Sequence, residues 1–303
     1  MVRFLHKAWV VFLAIGVGVD AGWCAAAEET PVMKVRFWDS TQGRLNYEYE
    51  LLQLALEKTA NDYPTYDLKR HDEDFGSLRG RRALAKGLQI NVYAAPARDK
   101  DGPLEAQIIS IPIPILGGLM GYRQLIVRED RLPAMTEVTS EDQLKRLTVG
   151  QGQRWPDVAI FRRNGYPVND TGRYSNLFTM LEQRRFDYLS LGIIEARREL
   201  ASHQSANEGL ALVPDLYLYY PFPVVFHVSA KAGPLAARLE QGLSRALQDG
   251  SMEALFQRHF AEELAAIHGE SRRLIVLEAP LPEIDWIPQS QLPPLMRLRT
   301  SAQ

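Results

Sequence analysis

The chain has 303 residues, of which 46% are hydrophobic and 24% are charged, and its formal net charge at pH 7 is -2. This apolar fraction is enough for one large or two medium hydrophobic cores, which excludes a disordered chain. Acidic and basic residues are interspersed and nearly balanced, so no clustered basic face is available for a nucleic acid or an anionic membrane.

The first 27 residues are predicted to be a cleaved secretory signal peptide. Arg3 and Lys7 precede an apolar run at residues 8–19, and small residues follow up to Ala27, where we expect cleavage. A run of this length is too short to span a hydrocarbon core of about 30 Å, so no permanent membrane anchor is expected. The mature protein is therefore expected in the periplasm.

Cys24 is the only cysteine of the chain. Lipidation of Cys24 is the alternative to plain cleavage, but the bulky Trp23 stands where that processing needs a small residue. Cleavage after Ala27 leaves a mature chain without cysteine, which excludes disulfides, thiol nucleophiles and thiolate metal sites.

The residues after the signal peptide predict a β-α-β-α-β unit. Alternating or continuous apolar residues predict strands at 33–38, 66–70 and 90–95. Apolar residues at helical spacing predict helices at 47–59 and 78–88.

A Pro- and Gly-rich stretch, IPIPILGGLMG at residues 111–121, follows this unit. Its prolines fix some backbone angles and its glycines allow others to change, which suits a hinge between two lobes.

A second alternating unit begins with a short strand at residues 147–149. A helix is predicted from Pro156, which suits a first helical turn, to Gly165, which suits a helix end. An extended piece around Val168, a helix with apolar residues between 177 and 181, and an apolar strand at 186–191 complete the unit.

The end of the chain predicts a return crossing. A Pro-interrupted β-like run, YYPFPVVFHV, covers residues 219–228, and helices are predicted at 235–247 and from Ser251 onward. Five prolines after Ala279 predict an extended strap over the body of the protein.

These elements predict an α/β fold with two lobes, each a mainly parallel sheet flanked by helices. The first lobe is expected at residues 28–116 and 224–270, the second at 117–223, and the Pro-rich C-terminal strap at 271–303.

Ligands of open parallel sheets bind beyond the carboxyl ends of the strands. Such a site combines a helix N-terminus with free N–H groups, an arginine fork that fits a carboxylate, and an aromatic wall. The candidate ligand-binding residues at the predicted strand ends are Trp38, Ser40, Arg98, Gln153, Arg154, Trp155 and Glu195.

Sequence signatures of common catalytic and cofactor sites are absent from the chain. It has no Gly-x-Ser-x-Gly elbow, no phosphate loop, no His-Glu-x-x-His and no complete dinucleotide fingerprint after Gly150. Its histidines are widely separated, with no i, i+4 pair. We therefore expect neither a cofactor nor a metal ion.

Four segments resemble the extracytoplasmic solute-binding proteins of family 3, the amino-acid type of ABC importers, over residues 33–260. The segments are LKRLTVGQGQRWPDV, RRFDYLSLGIIEA, LYLYYPFPVVFHVS and LAARLEQGLSRALQDGSMEALF. The chain looks most like a divergent, often transporter-less branch of this group. The resemblance implies a type II periplasmic-binding-protein fold, or venus flytrap, in a monomer that closes on a small molecule. An ABC permease or a membrane sensor would be its partner.

The resemblance also implies roles for single residues. Arg98 falls in YAAPAR, where the family usually keeps an arginine that grips the α-carboxylate of a ligand. The aspartate that holds the α-ammonium group falls near Gly192, so either Glu195 compensates from one turn further on or the ligand is not an amino acid. Gln153, Arg154 and Trp155 replace the small hydroxyl residues that the family usually has at this helix start, which makes the site bulkier and more aromatic.

The leading interpretation is a periplasmic binding protein that captures a small polar solute, an amino acid or a related small acid. One alternative is an enzyme on the same scaffold that uses Glu195 or Asp157 as general acid or base. Another is an accessory protein without a ligand that acts through its surface, with residues 279–303 as the interacting segment.

Overall fold

The structure is a computed structural model that describes residues 32–40, 46–73, 75–98, 102–203 and 209–279. The predicted signal peptide and residues 280–303 of the predicted strap lie outside the described residues. Within the described part of the chain, no helix is long and apolar enough to cross a membrane.

The first sheet has five strands in the order β2-β1-β3-β10-β4. Their bounds are β1 (Met33–Trp38), β2 (Tyr66–His71), β3 (Val92–Pro96), β4 (Ile108–Ser110) and β10 (Val224–Ser229). Strand β1 pairs in parallel with β2 and β3, whereas β10 runs antiparallel to β3 and β4. A single strand therefore runs against the other four.

Helices cover both faces of this sheet. They are α1 (Asn46–Glu57), α2 (Ser77–Lys86), α8 (Gly233–Gln248) and α9 (Ser251–Ile267). Because side chains alternate along a strand, Phe37 packs with α1, α8 and α9, whereas its neighbour Trp38 packs with α2. Helices α1 and α8 approach closely at Gly242, where an added Cβ would lie 2.0 Å from the Ala55 carbonyl oxygen.

The second sheet has six strands in the order β11-β9-β5-β8-β6-β7. Their bounds are β5 (Tyr122–Arg128), β6 (Val149–Gly152), β7 (Val168–Gly172), β8 (Tyr188–Gly192), β9 (Leu210–Tyr219) and β11 (Arg273–Val276). Strand β5 is antiparallel to β8 and β9, and the other pairs are parallel. This sheet too has one opposed strand.

Five helices flank the second sheet: α3 (Leu132–Thr136), α4 (Glu141–Leu144), α5 (Pro156–Arg163), α6 (Leu177–Glu182) and α7 (Ile193–His203). Leu125 of β5 packs in one buried cluster with Phe161 of α5. The next residue, Ile126, packs on the opposite face with Phe178 of α6 and Leu200 of α7.

The chain passes between the sheets at residues 111–121 and again at 220–223, and the strands that follow these crossings, β5 and β10, are the opposed strands of their sheets. The crossings hydrogen-bond to the ordered elements beside them. The Ile115 N–H donates to the Val224 carbonyl at 2.8 Å, and the Tyr220 N–H donates to the Gly121 carbonyl at 3.3 Å.

A third passage follows α9 and brings the chain back to the second sheet. The predicted strap starts at residue 271, and its first residues form β11, which pairs in parallel with β9. The short apolar run Leu274–Val276 precedes the prolines and can therefore add a strand at the sheet edge.

Candidate functional site

The first turns of α1 and α7 meet beside the first crossing. Ile193 and Ile194 of α7 belong to the same buried cluster as Tyr47 and Leu51 of α1. The Tyr47 hydroxyl donates a hydrogen bond to the Ile115 carbonyl at 2.7 Å. Each helix is the first one along the chain after a strand of its sheet, β1 or β8, so both strands end on the side of this cluster.

A buried ion pair closes the end of β1. Asp39, which directly follows this strand, is 1% exposed. Arg70 of β2 donates from Nε to Asp39 Oδ2 at 2.8 Å, and its guanidinium lies 5.2 Å from the centre of the Tyr49 ring. Arg70 is therefore committed to Asp39 and cannot turn freely towards a ligand.

Glu48 is an acidic residue inside this boundary. It lies in the first turn of α1 and is 4% exposed. Burial raises the pKa of Glu48 to about 8, with further contributions from Asp39 and Glu195, while Arg70 acts in the opposite direction. Burial therefore favours the protonated form of Glu48.

The structure places Trp38 between the first sheet and α2. Its ring stacks on Tyr93 with centroids 5.2 Å apart, and its indole N–H donates to the Glu73 carbonyl at 3.0 Å. Gly80 of α2 makes room for it, since a Cβ there would lie 2.0 Å from the indole ring. These contacts are those of a core residue. Ser40 is exposed in the turn after Asp39.

Arg98 follows β3 and is half-buried. Its Nε atom is buried without a hydrogen-bond partner among the described residues. Arg81 of α2 lies close to Arg98. Burial lowers the pKa of Arg81, and the positive charge of Arg98 lowers it further. Arg81 forms an ion pair with Glu105, whereas the Nε donor of Arg98 has no partner among the described residues.

Sequence reasoning missed a row of side chains beneath these arginines. Tyr93, His227 and Ser110 stand in register across three strands. Ser110 Oγ lies 2.9 Å from His227 Nδ1, and Nε2 lies 3.2 Å from the Pro96 carbonyl, so Nε2 carries the hydrogen. Burial lowers the pKa of His227 to about 4, which makes it a neutral, structural imidazole at neutral pH.

In the second lobe, the loop from β6 to α5 carries three predicted residues. Gln153 and Arg154 are exposed and Trp155 is half-buried. Arg154 adopts a φ of 66°, a left-handed conformation that side chains other than glycine rarely adopt. The Trp155 ring covers Gly152, where a Cβ would lie 2.3 Å from it. Glycine at this position thus lets the indole lie against the strand end.

Two unsatisfied polar atoms lie behind this loop. Gln151 is fully buried and donates from Nε2 to the Ser190 carbonyl at 3.1 Å. Its Oε1 atom and the Ser190 hydroxyl have no hydrogen-bond partner among the described residues. Buried polar atoms are nearly always satisfied, so each of these has the capacity to bind one more group.

Glu195 lies in the first turn of α7, half-buried. A Cβ at Gly192 would lie 2.6 Å from Met120 Sδ and 3.2 Å from Glu195 Oε2. A side chain at Gly192 would therefore collide with Met120, and the carboxylate of Glu195 reaches the same region from the next turn. Its charge acts on Glu48 in the other lobe.

Arg123, at the start of β5, is a buried cation next to the second crossing. It forms a salt bridge with Asp157 of α5, with Nη2 and Oδ1 2.8 Å apart. Its guanidinium carbon lies 4.8 Å from the Tyr220 ring centre and 4.4 Å from that of Phe222. The Tyr220 hydroxyl donates to Asp157 Oδ1 at 2.5 Å. Asp157 is thus held on two sides.

The structure brings Arg98, Gln153, Arg154, Trp155 and Glu195 to strand ends or first helical turns, whereas Trp38 packs in a core. Sequence reasoning missed Glu48, and a signal for it was present. Residues 48, 51, 52 and 55 follow helical spacing and are all buried, so the apolar stripe of α1 includes one acidic residue.

No family model matches the chain, and no curated protein matches it. Solved structures match over most of its length. One is an ancestral arginine-binding protein bound to arginine, with a TM-score of 0.51 and 16% identity over 76% of this chain and 98% of that one. Another structure is reported for glutathione import via GshT and the cystine ABC importer TcyBC of Streptococcus mutans. It has a TM-score of 0.51 and 12% identity over 76% of this chain and 96% of that one.

A third structure is a histidine kinase sensor domain with similarity to periplasmic binding proteins, with a TM-score of 0.50 and 16% identity over 76% of this chain and 96% of that one. At these identities the likeness establishes the fold. The chain has the two-lobed, venus-flytrap fold of periplasmic binding proteins, built here from two mixed sheets flanked by helices. The predicted fold class is confirmed, as is the predicted resemblance to amino-acid-type binding proteins at the level of the fold.

Proposed function

We propose that the protein captures a small polar solute, an amino acid or a related small acid, by closure of its two lobes. The observation that carries this proposal is the set of buried polar atoms near the strand ends that lack a partner among the described residues: Arg98 Nε, Gln151 Oε1 and the Ser190 hydroxyl. Such groups are costly to leave unsatisfied, and a bound solute would supply what they lack.

The direct contacts to the solute are assigned as follows. Arg98 pairs with a carboxylate of the solute, because a guanidinium fork matches that group. Gln153, Arg154 and Trp155 close over it from the second lobe, and Glu195 faces its positive end. Trp38 supports this site from below, while Ser40 contacts the solute from the exposed turn.

The solute is delivered to an ABC importer or a membrane sensor. Fold neighbours of both kinds support this pair of partners, since one is reported for import through an ABC importer and another is a sensor domain. The protein acts as a monomer in the periplasm after its signal peptide, residues 1–27, has been removed. Lobe 1 comprises residues 28–116 and 224–270, and lobe 2 comprises residues 117–223. The two lobes close on the solute by bending at the two crossings.

A thermal-shift screen of amino acids, organic acids and polyamines tests the proposal. A solute present at 100 times its Kd stabilises the folded state by about 2.7 kcal/mol, which raises the Tm of a chain of this size by roughly 5–10 °C. Arg98→Ala should abolish the shift, whereas Arg82→Ala, an exposed arginine of α2, should keep it.

Three results would count against the proposal. A screen in which no solute raises the Tm contradicts solute capture. Equal binding by Arg98→Ala shows that the site is misplaced. Recovery of a chemically altered solute after incubation indicates an enzyme, because a binding protein returns its ligand unchanged.

A further inference from the structure

The described part of the chain connects its two sheets three times. Two of the connections are the crossings at residues 111–121 and 220–223, and the third is the passage from α9 to β11, residues 268–272. Helix α9 packs in the core of the first sheet, whereas β11 pairs in parallel with β9 of the second sheet. The third passage therefore joins an element of one sheet to an element of the other.

Helix α9 is held against the first sheet by buried apolar contacts. The rings of Phe256 and Phe260 pack edge-on against Tyr47 of α1, with centroids 5.8 and 5.0 Å from that of Tyr47. Phe256 also contacts the first crossing, since a Cβ at Gly117 would lie 3.0 Å from its ring. Ile267, the last residue of α9, is fully buried. The start of the third passage is therefore fixed to the first sheet.

Strand β11 is anchored to the second sheet by hydrogen bonds and by burial. The guanidinium of Arg273 donates to the Val138 carbonyl at 2.6 Å and to the Pro214 carbonyl at 3.2 Å. Just past the strand, the Leu277 N–H donates to the Tyr219 carbonyl at 2.8 Å, and Leu277 is fully buried. The end of the third passage is therefore fixed to the second sheet.

The two faces of β11 belong to different buried clusters, because side chains alternate along a strand. Leu274 and Val276 pack against the cluster that combines α9 with Tyr217 and Tyr219 of β9. Ile275 belongs to the cluster that joins β5 to α5 inside the second lobe. Strand β11 thus lies beside an apolar boundary that elements of both sheets share.

The third passage itself is short and folded into a turn. The Gly269 N–H donates to the Ala266 carbonyl at 3.4 Å, and the Arg272 N–H donates to the Gly269 carbonyl at 3.3 Å. Arg272 also donates from Nη1 to the Ile267 carbonyl. The five residues 268–272 reach about 18 Å at most when they are fully extended. Strand β11 can therefore move away from α9 only by breaking this turn, and then only over a limited distance.

We propose that the third passage is a tether that limits how far the two lobes open. Two crossings allow the lobes to turn about a hinge, and a third connection that is fixed at both ends opposes that rotation. The lobes therefore move over a narrow range and stay close to the geometry that binds the solute. The inference rests on the proposed function in one respect, which is that lobe closure is the motion that the tether limits.

Distances between two spin labels test the tether in the mature chain, residues 28–303, without any solute. Arg82→Cys on α2 and Arg163→Cys on α5 place the labels at exposed helix positions of the two lobes, in a chain that then has no other cysteine. With the third passage intact, double electron–electron resonance should give one narrow distance distribution. Insertion of eight alternating Gly and Ser residues between Gly269 and Glu270 adds a flexible reach of roughly 15 Å and should widen the distribution about twofold or more.

The same insertion between Ala60 and Asn61 is the matched control. These exposed residues lie in the turn after α1, inside the first lobe, so the distribution should stay as narrow as in the protein without an insertion. A shorter insertion of four residues between Gly269 and Glu270 adds roughly 11 Å and should widen the distribution less than the longer one. This second variant keeps the test conclusive if the longer insertion prevents folding, which circular dichroism measures.

The outcomes separate this inference from the proposed function. A distribution that stays narrow after the insertions at Gly269 overturns the tether, because the passage then follows the lobes without limiting them. A distribution that is broad or has two peaks with the passage intact overturns it as well. Neither result bears on solute capture, which the thermal-shift screen tests. Absence of binding by every solute of that screen contradicts the proposed function, whereas the labelled protein still shows whether the third passage limits the motion of the lobes.

Discussion

Arg123 and Asp157 form a salt bridge although their side chains are only 4% and 5% exposed. Burial alone would lower the pKa of Arg123, but the charges of Asp157, Tyr220 and Glu195 outweigh burial and raise it. Nε and Nη2 of Arg123 make no hydrogen bond among the described residues, so the pair is held by charge and by the flanking aromatic rings. The Arg123–Asp157 pair connects the start of α5 to the second crossing.

Arg123→Met should lower the free energy of unfolding by about 3–5 kcal/mol, because it leaves the Asp157 carboxylate buried without its cation. Adding Asp157→Asn should restore a large part of the loss, since the amide oxygen still accepts from Tyr220 and no charge remains. Denaturant unfolding measures both variants.

Arg162→Met, on the helix that carries Asp157, is the matched control. Arg162 pairs with Asp170 at an exposed position, so its loss should cost less than about 1 kcal/mol. Equal losses for Arg123→Met and Arg162→Met, or a double variant that is no more stable than Arg123→Met, would contradict the assignment of a buried pair.

Arg154→Gly should raise the stability of the protein by up to ~1 kcal/mol, because a left-handed φ costs ordinary residues about 1–2 kcal/mol and glycine almost nothing. Arg154→Ala keeps the strain and removes only the exposed side chain, so its Tm should match that of the wild type. Thermal unfolding compares the three proteins. A lower Tm for Arg154→Gly than for Arg154→Ala would show that the loop is not strained.

The elements that sequence patterns predicted well are those whose local signals agree with their packing. Strand β1 has the predicted bounds 33–38, and α5 starts at the predicted Pro156. Alternating residues predict β1, and a proline at the first helical position predicts the start of α5. Both signals lie within a few residues of the element that they predict.

Strands β5 and β9 could not be predicted in this way. Near its start, strand β5 carries Arg123 and Gln124, which are buried because distant residues pair with them or cover them. In β9, Pro214 interrupts the pattern and Asp215 has a φ of 55°, and the register with β5 shifts between Gln124 and Ile126. Such a bulge depends on the partner strand and leaves no periodic signal.

The same limit applies to the candidate site. Residues at strand ends can be proposed from element order alone, as Arg98 and Glu195 are. The pairing of Asp39 with Arg70, and the slot that Gly80 opens for Trp38, join residues that are far apart in sequence. Only the assembled fold shows that Trp38 belongs to a core.

Arg238→Met should lower the free energy of unfolding by on the order of 3 kcal/mol. Arg238 of α8 is fully buried and donates to the Leu56 and Pro64 carbonyls and to the Thr59 hydroxyl, so it satisfies the end of α1 and the turn after it. Its loss removes the Arg238 donors to the Pro64 carbonyl and the Thr59 hydroxyl, and one of the donors to the Leu56 carbonyl. Urea unfolding measures the change.

Arg245→Met provides the comparison on the same helix. Arg245 is 39% exposed and pairs with a partly exposed Asp62, so its loss should cost less than Arg238→Met. Arg238→Lys should also be destabilising, because one ammonium cannot reach three separated acceptors. A fully stable Arg238→Lys variant would contradict the capping role.

His227 should make the protein less stable at acidic pH. Burial lowers the pKa of His227 to about 4, below the unfolded value of 6.5, so the unfolded chain binds the proton first as the pH falls. The stabilising contribution is complete above pH 6.5 and is lost as the pH falls towards 4, where the loss reaches about 3 kcal/mol.

His227→Gln should remove this part of the pH dependence. The variant should be less stable than the wild type at pH 7, because the amide cannot bridge Ser110 and the Pro96 carbonyl as the ring does. The gap between the two proteins should then narrow as urea unfolding is repeated at pH 6, 5 and 4. His268→Gln changes an exposed histidine and should leave the wild-type curve unaltered. Curves for His227→Gln and the wild type that stay parallel down to pH 4 would mean that His227 is not a buried neutral imidazole, since a group with the same pKa in both states adds no pH dependence to folding.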